Sequence, residues 1–412
     1  VSTDKLDELQ ENLIRSHSVG LGQPLSEPET RAILLLRANA LASGHSGVSE
    51  QLIDALLAML NAGVHPVIPE QGSVGACGDL APLAHMSLTL IGEGEATFEG
   101  RVMDSAAALK KARLKPFRLG VKEGLSLING TQVMTAIGIL TYLRARKLAD
   151  HADLAAAMTL ESLKGSKIPF DADISRIRPH RGQKEVAARM LRLLDKSQIM
   201  ESHRGCNKVQ DPYSLRCIPQ VHGVVRDVLR SVEQVLRVEA NSVTDNPLVF
   251  AKEGKILSGG NFHGEYPAMA MDQLAIAVAE LASISEERIA KLINPALSEL
   301  PPFLAKDSGL NSGFMIVHVA AASLVSENKI YCHPAVVDSI PTSADKEDHV
   351  SMGTIAAVKC RRVVDNTWSV IAMEYLCASQ GLEFHKPLKP GRAVNRAYEQ
   401  IRKTVPPVDR DR

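Results

Sequence analysis

A glycine-rich stretch at residues 71–86 (QGSVGACGDLAPLAHM) has the residue types that a reactive turn needs. It carries three closely spaced glycines, Gly72, Gly75 and Gly78. Glycine adopts positive φ without a Cβ clash, so this backbone can turn tightly and approach another group closely.

A helix is predicted directly after this turn, with Asp79 as its cap and Pro82 in its first turn. Ala76, Cys77 and Gly78 would therefore lie just before a helix N-terminus, where unpaired N–H groups and the helix dipole favour developing negative charge. The plainer interpretation is a glycine-rich loop that enters a core helix, and composition alone leaves both open.

Seven residues in predicted loops or at helix ends could hold a small ligand: His17, Asn129, Gln210, Tyr213, Arg216, Phe262 and Glu347. Singly, each has an ordinary explanation, such as a surface ion pair for Arg216, loop packing for Tyr213 or a helix cap for Glu347. Together they supply a carboxylate binder, amide donors, an aromatic wall and a paired acid and imidazole. That combination is what a site for an amino acid needs.

The elements that must position these residues are predicted to be helices. Only 4% of the residues are aromatic although 45% are hydrophobic, and a core poor in rings packs as helices better than as sheets. Periodicity and caps predict helices at residues 1–16 (capped by Ser2 or Thr3), 27–44, 50–63, from 80, from 105, 133–164 with possible breaks, 183–195, up to about 240, 267–292, 312–329 and a long last one ending near 381. Two short hairpins are predicted at 96–103 and 248–257, and loops at 202–220, 259–263 and 341–352.

The predicted fold class is therefore mainly α. Residues 1–412 are expected to form one continuous body, a bundle of long helices with irregular polar loops and a few short strands. Residues 273–284 (QLAIAVAELASI) are apolar most of the way around, as expected for a helix buried in a bundle or between subunits. Self-association is therefore expected.

Composition and spacing exclude several classes of function. Basic and acidic residues number 47 each, so the chain has no electrostatic footprint for nucleic acid or an acidic membrane. The six cysteines form no CxxC pair, which disfavours a disulfide framework. The histidines show no HExxH spacing, which disfavours a metal site. No lysine follows the glycine turn as in a P-loop, which disfavours a nucleotide-binding site. We expect no bilayer-spanning run and no secretory signal, and therefore a cytoplasmic protein with a small-molecule partner.

Long motifs recur in order between residues 72 and 353: GSVGACGDLAPLAHM, LINGTQ, KVQDPYSLRC, DNPLVF, GGNFHGE, LPPFL, NSGFM, SENK and PTSADKEDHVSMG. With these motifs the chain resembles the histidine ammonia-lyase family, within the wider group of aromatic amino-acid ammonia-lyases and aminomutases. The resemblance implies a largely α-helical homotetramer in which each active site is assembled from more than one subunit.

The resemblance also implies a self-made electrophile, methylidene-imidazolone (MIO), and no external cofactor. In the family an Ala-Ser-Gly triplet cyclises and dehydrates, and here the triplet is Ala76-Cys77-Gly78. The Gly nitrogen attacks the Ala carbonyl, and loss of the Ser oxygen leaves an exocyclic methylidene. The implied reaction is anti-elimination of ammonia from L-histidine, which gives trans-urocanate.

By the same likeness, Arg216 would bind the substrate carboxylate, a task that suits its planar fork of donors. Asn129 would support that end of the substrate. Gln210 and Tyr213 would line the prosthetic group and the amine.

Phe262 would pack against the substrate, and His17 and Glu347 would address its imidazole. This pair favours histidine, because a carboxylate against an uncharged phenyl ring would be left unpaired. The alternatives are a tyrosine or phenylalanine ammonia-lyase or aminomutase and, from another class, a catalytically impaired helical assembly or binding protein.

Two features depart from the family pattern. Cys77 stands where the family has Ser. A thiol can also leave by β-elimination, or the precursor could stay open. The family's β-proton base is a Tyr in a YGxNTGFG-like segment expected upstream of Val1, so the chain is expected to be truncated at its N-terminus relative to the family. Tyr213 is not assigned that role.

Overall fold

The computed structural model describes residues 5–206 and 208–411, and within them the chain is mainly helical, as predicted. Residue contacts divide the chain into two compact units. The first comprises Val1–Thr141, Val232–Asp272 and Pro334–Arg361. The second comprises Tyr142–Ser231, Gln273–His333 and Arg362–Arg412. The expectation of a single continuous body stays a prediction.

The α-helices of the described residues are α1 (Leu6–His17), α2 (Glu27–Ala42), α3 (Glu50–Ala62), α4 (Leu80–Leu90), α5 (Ser105–Lys111), α6 (Glu123–Ile128), α7 (Gln132–Ser162), α8 (Ala172–Ile177), α9 (Arg181–Leu193), α10 (Gln198–Ser202), α11 (Tyr213–Arg216), α12 (Ile218–Glu239), α13 (Glu265–Ile293), α14 (Pro295–Ser298), α15 (Met315–Tyr331), α16 (Gly353–Glu383) and α17 (Arg392–Arg402). Short 3-10 helices lie at Ile168–Phe170, Ala251–Glu253 and Pro302–Leu304.

The strands are short and belong to the first unit: β1 (Leu21–Pro24), β2 (His65–Pro66), β3 (Pro69–Gln71), β4 (Glu95–Phe98), β5 (Arg101–Asp104), β6 (Leu248–Phe250) and β7 (Lys255–Leu257). All pairs are antiparallel, in the orders β1-β3, β2-β4-β5 and β6-β7. Both predicted hairpins are confirmed, whereas the pairs that involve β1, β2 and β3 were not predicted.

Helix ends in the first unit follow local sequence signals. Ser26 and Glu29 form a capping box at the start of α2. The Ser49 side chain accepts a hydrogen bond from the Leu52 N–H (3.3 Å) at the start of α3, which ends at Gly63 in the left-handed region (φ 73°). These caps agree with the predictions.

Two local predictions are wrong. Asp79 occupies the cap position of α4, but its side chain makes no capping bond there. Its carboxylate instead accepts the N–H groups of Val133 (2.8 Å) and Met134 (3.0 Å) at the start of α7. The predicted loop at 202–220 holds α11 and the start of α12, because a four-residue helix is too short to show periodicity. The cap predicted at Ser2 or Thr3 lies outside the described residues.

Each unit has its own apolar interior. In the first, α4 packs against α1 and α6, and α2 packs against α3. In the second, buried side chains such as Met158, Phe170 and Leu292 form one cluster.

Helix α13 is long and apolar enough, by length and composition, to cross a membrane, although no such run was expected from the sequence. Of its most apolar window, 67% is buried inside the protein. The core helix of a globular protein can have the same length and composition, and burial of this extent is typical of a core helix.

Candidate functional site

The reactive triplet, Ala76-Cys77-Gly78, forms a tight turn before α4. Cys77 has a φ of 49° and Gly78 a φ of 84°, and the Gly78 N–H donates to the Gly75 carbonyl (3.1 Å). A Cβ at Gly78 would lie 2.1 Å from the Gly130 carbonyl oxygen, so only glycine fits there. A turn this compact, with glycine at its third position, fits ring closure between the first and third residues of the triplet.

Gly130 holds the turn through two backbone hydrogen bonds. Its N–H donates to the Cys77 carbonyl (3.1 Å), and its carbonyl accepts the Asp79 N–H (2.8 Å). Asn129, which ends α6, is fixed beside them because its Nδ2 donates to the Asn246 carbonyl (2.8 Å). The structure thus brings Asn129 and the triplet together.

Glu347 lies against the thiol of the triplet. The Cys77 Sγ donates to Oε1 of Glu347 (3.3 Å), while Oε2 accepts from the hydroxyls of Thr342 (2.9 Å) and Ser343 (2.7 Å). Burial raises the pKa of Glu347, but the bonds from Ser343, Thr342 and Cys77 and the charge of His17 outweigh it, so that the pKa is lowered overall. Glu347 is therefore an ionised carboxylate at neutral pH.

The Cys77 thiol is neutral at neutral pH. Burial, together with the hydrogen bond and negative charge of Glu347, raises the pKa of Cys77 to about 12. His17 lies at the end of α1, where its Nδ1 is 2.8 Å from the Leu13 carbonyl oxygen. The charge of His17 contributes to the lowered pKa of Glu347, and the pairing of this acid and imidazole on a substrate stays a prediction.

Three other predicted site residues belong to the second unit. Tyr213 and Arg216 are the first and last residues of α11, and the Arg216 guanidinium carbon lies 4.5 Å from the centre of the Tyr213 ring. The Arg216 Nε is buried without a hydrogen-bond partner among the described residues. Gln210 is exposed in the segment before α11. This part of the chain therefore offers a cation and an amide to a ligand.

Phe262 is half-buried in a turn before α13. The His263 N–H closes this turn on the Gly260 carbonyl (2.9 Å), in agreement with the predicted loop at 259–263. The role of Phe262 stays a prediction.

Within the part of the chain that the structure describes, one group of side chains could hold a metal ion. His263, Glu265 and His349 offer ligand atoms that lie within 4.8 Å of one another. One nitrogen of His263, Nε2, already lies 3.1 Å from the His349 carbonyl oxygen. Sequence spacing did not indicate this grouping, and the expectation that the reaction uses no metal stays a prediction.

The sequence reasoning missed the residues that support the predicted ones. Thr342 and Ser343 stand in the PTSADKEDH motif, but only the folded loop shows that they hold Glu347. Arg37 donates to the carbonyl of Asn129. The sequence pattern could have indicated that Arg37 is buried, because it falls on the same face of α2 as Leu34 and other buried residues.

Comparisons with known proteins identify relatives of this chain. The family model for aromatic amino acid lyases matches residues 1–403. The histidine ammonia-lyase of Myxococcus xanthus is 56% identical over 414 residues, which cover 100% of this chain and 82% of that protein. The histidine ammonia-lyase of Sorangium cellulosum is 56% identical over 98% of this chain and 80% of its own length.

Solved structures give the same result. Histidine ammonia-lyase from Trypanosoma cruzi matches with a TM-score of 0.94 at 48% identity, over 100% of this chain and 78% of that one. Phenylalanine aminomutase from Pantoea agglomerans matches with a TM-score of 0.95 at 35% identity, over 100% of this chain and 83% of that one. On the match of the family model and these relatives, the chain belongs to the aromatic amino acid lyase family.

Proposed function

We propose that the chain eliminates ammonia from L-histidine to give trans-urocanate. Curated relatives named histidine ammonia-lyase, at 52–56% identity, support this activity. The observation that carries the choice of substrate is the ionised carboxylate of Glu347, whose Oε1 lies 3.3 Å from the Cys77 sulfur. An imidazole N–H can donate to the remaining acceptor capacity of that carboxylate, whereas a phenyl ring has no hydrogen-bond donor to offer.

Aromatic amino acid lyases are MIO-dependent in general, and MIO is proposed to form here from Ala76, Cys77 and Gly78. The Gly78 nitrogen bonds to the Ala76 carbonyl carbon, whose oxygen leaves as water with the amide hydrogens of Gly78 and Cys77. The Cα hydrogen and the SH group of Cys77 then leave as hydrogen sulfide, which leaves a double bond between Cα and Cβ. Once formed, the group supplies an electrophile for the substrate amine. The tight turn and the neutral thiol support both steps.

The residues predicted from the family resemblance are proposed to bind and orient the substrate. Arg216 holds the carboxylate, and its unpartnered buried Nε supports this role. Asn129 supports the same end, while Gln210 and Tyr213 line the region of the amine.

At the other end of the substrate, Phe262 packs against the side chain, and His17 and Glu347 bind the imidazole. Members of this family are generally tetrameric. We extend this to a cytoplasmic homotetramer whose active sites are shared between subunits, which accords with the exposed apolar side chains of Tyr266 and Ile276 on α13.

The second candidate is a tyrosine or phenylalanine ammonia-lyase or aminomutase, which the fold match to a phenylalanine aminomutase favours. Incubation of the purified protein with histidine, tyrosine and phenylalanine separates the two. We expect release of ammonia to be fastest from histidine, with urocanate as the product. Faster turnover of either of the other two amino acids would overturn the assignment.

A further inference from the structure

Arg37 is a fully buried cation in the first unit. It lies on α2 with a side-chain exposure of 0%, on the stripe that also carries the buried Leu34 and Leu41. Burial lowers the pKa of Arg37 to about 10, although the charges of Asp245 and Asp79 oppose this effect. Arg37 is therefore still charged at neutral pH.

Only one nitrogen of this guanidinium is used within the described residues. Nη1 donates to the carbonyl of Asn129 and to Oε1 of Gln132 (2.6 Å), whereas Nε and Nη2 are buried without a hydrogen-bond partner there. Burying a cation with unused donors is costly. Stability alone is therefore a poor reason for an arginine at this position.

The acceptor of Nη1 gives a better reason. The Asn129 carbonyl and the Gly130 N–H belong to one peptide group, and that N–H donates to the Cys77 carbonyl (3.1 Å). A hydrogen bond received at a peptide carbonyl strengthens the donor at the other side of the same peptide. Arg37 is thus linked to the triplet through a single peptide.

The space around Gly130 is closely packed. A Cβ built on Gly130 would lie 2.8 Å from the Arg37 Nη1 and 2.4 Å from the Gln132 Oε1. The Arg37 guanidinium is therefore closely packed against Gly130, the glycine whose backbone is hydrogen-bonded to the triplet.

We propose that Arg37 is a positioning residue, which holds the Asn129–Gly130 peptide against the Cys77 carbonyl and strengthens the Gly130 N–H as a donor to it. The consequence for catalysis rests on the proposed function. In that reaction negative charge develops on the carbonyl oxygen of residue 77, where a pre-oriented donor is most effective.

The test compares Arg37→Met with Leu34→Ala, which perturbs a buried position of the same helix but removes no hydrogen bond to the Asn129–Gly130 peptide. Both variants are expected to lose stability, because each removes part of a buried side chain. Only Arg37→Met is expected to speed hydrogen exchange at the Gly130 amide, by about tenfold relative to the parent. In the same variant we expect kcat to fall about tenfold with a smaller change in KM.

The exchange readout is independent of activity. If the parent neither cyclises nor turns over histidine, the proposed function fails, while exchange at Gly130 still decides the role of Arg37. Equal exchange at Gly130 in Arg37→Met and Leu34→Ala would overturn the proposal. If Arg37→Met does not fold, Arg37→Lys carries the same comparison, because an ammonium keeps the charge but lacks the guanidinium fork.

Discussion

Glu347 is the residue on which the choice of substrate depends. Its carboxylate is held by two hydroxyls, from Thr342 and Ser343, and by the Cys77 thiol, so it stays in place without a salt bridge to a lysine or arginine among the described residues. A carboxylate held in this way offers its remaining acceptor capacity to a ligand.

We predict that Glu347→Gln lowers kcat/KM for histidine by about 10- to 100-fold, because a hydrogen bond to a charged group contributes about 1.5–3 kcal/mol. The neighbouring exposed Asp348→Asn is the matched control and should leave kcat/KM unchanged. Steady-state kinetics with histidine and phenylalanine measure both. An equal loss for the two substrates would contradict the role of Glu347 in recognising imidazole.

The lowered pKa of Glu347 also has a pH consequence. Its hydrogen bonds favour the ionised form. The free energy of unfolding that they contribute is therefore fully present above the ordinary carboxyl pKa of 4.5. It is lost as the pH falls through the lower pKa that Glu347 has in the folded protein. Substrate binding by this carboxylate should therefore persist through the mildly acidic range.

At the scale of elements, the triplet depends on the contact between its turn and the Asn129–Gly130 segment. That contact requires glycine at two places, Gly78 and Gly130, both at positive φ. The segment belongs to the connection between α6 and α7.

We predict that Gly78→Ala abolishes cyclisation, because its Cβ would lie 2.1 Å from the Gly130 carbonyl oxygen. The control is Gly100→Ala in the β4–β5 turn, where φ is also positive (75°) but no heavy atom lies within 4 Å of the added Cβ. The control should lose only about 1 kcal/mol of stability and keep its activity. Similar losses of activity in both variants would show that the positive φ alone, and not the close approach of Gly78 to the Gly130 carbonyl, makes glycine necessary.

Much of this arrangement could be predicted from the sequence. Caps such as Ser26 and Ser49 are local, and the hairpins and long helices show clear periodicity, so these predictions are confirmed. The bond from Asp79 to α7 could not be predicted, because tertiary packing and not local sequence selects its partner. The burial of Arg37 could be predicted from its place on the apolar face of α2. Its hydrogen-bond acceptor, the carbonyl of Asn129, could not, because it lies 92 positions away in the sequence.

At the scale of the whole molecule, the proposed tetramer accounts for apolar side chains left exposed along α13. Tyr266 is 76% exposed, Met269 43% and Ile276 46%. Residues 273–284 were expected to be buried in a bundle or between subunits, and most of their apolar side chains are buried within the chain.

We predict a particle of about four times the 44.5 kDa chain mass in analytical ultracentrifugation. Ile276→Lys should shift it toward smaller species, because a charge would be buried without a partner at the interface. Val102→Lys, at an exposed position of β5, should not. A monomer at micromolar concentration with full activity would contradict the shared-site account.

The most direct measurement is the mass of the peptide that contains residues 72–86, taken from the purified protein. The account predicts a mass below that of the sequence by one water and one hydrogen sulfide, and a Cys77→Ala control that cannot lose hydrogen sulfide. A peptide of unmodified mass, from protein that still converts histidine to urocanate, would contradict the claim that Ala76, Cys77 and Gly78 form the electrophile.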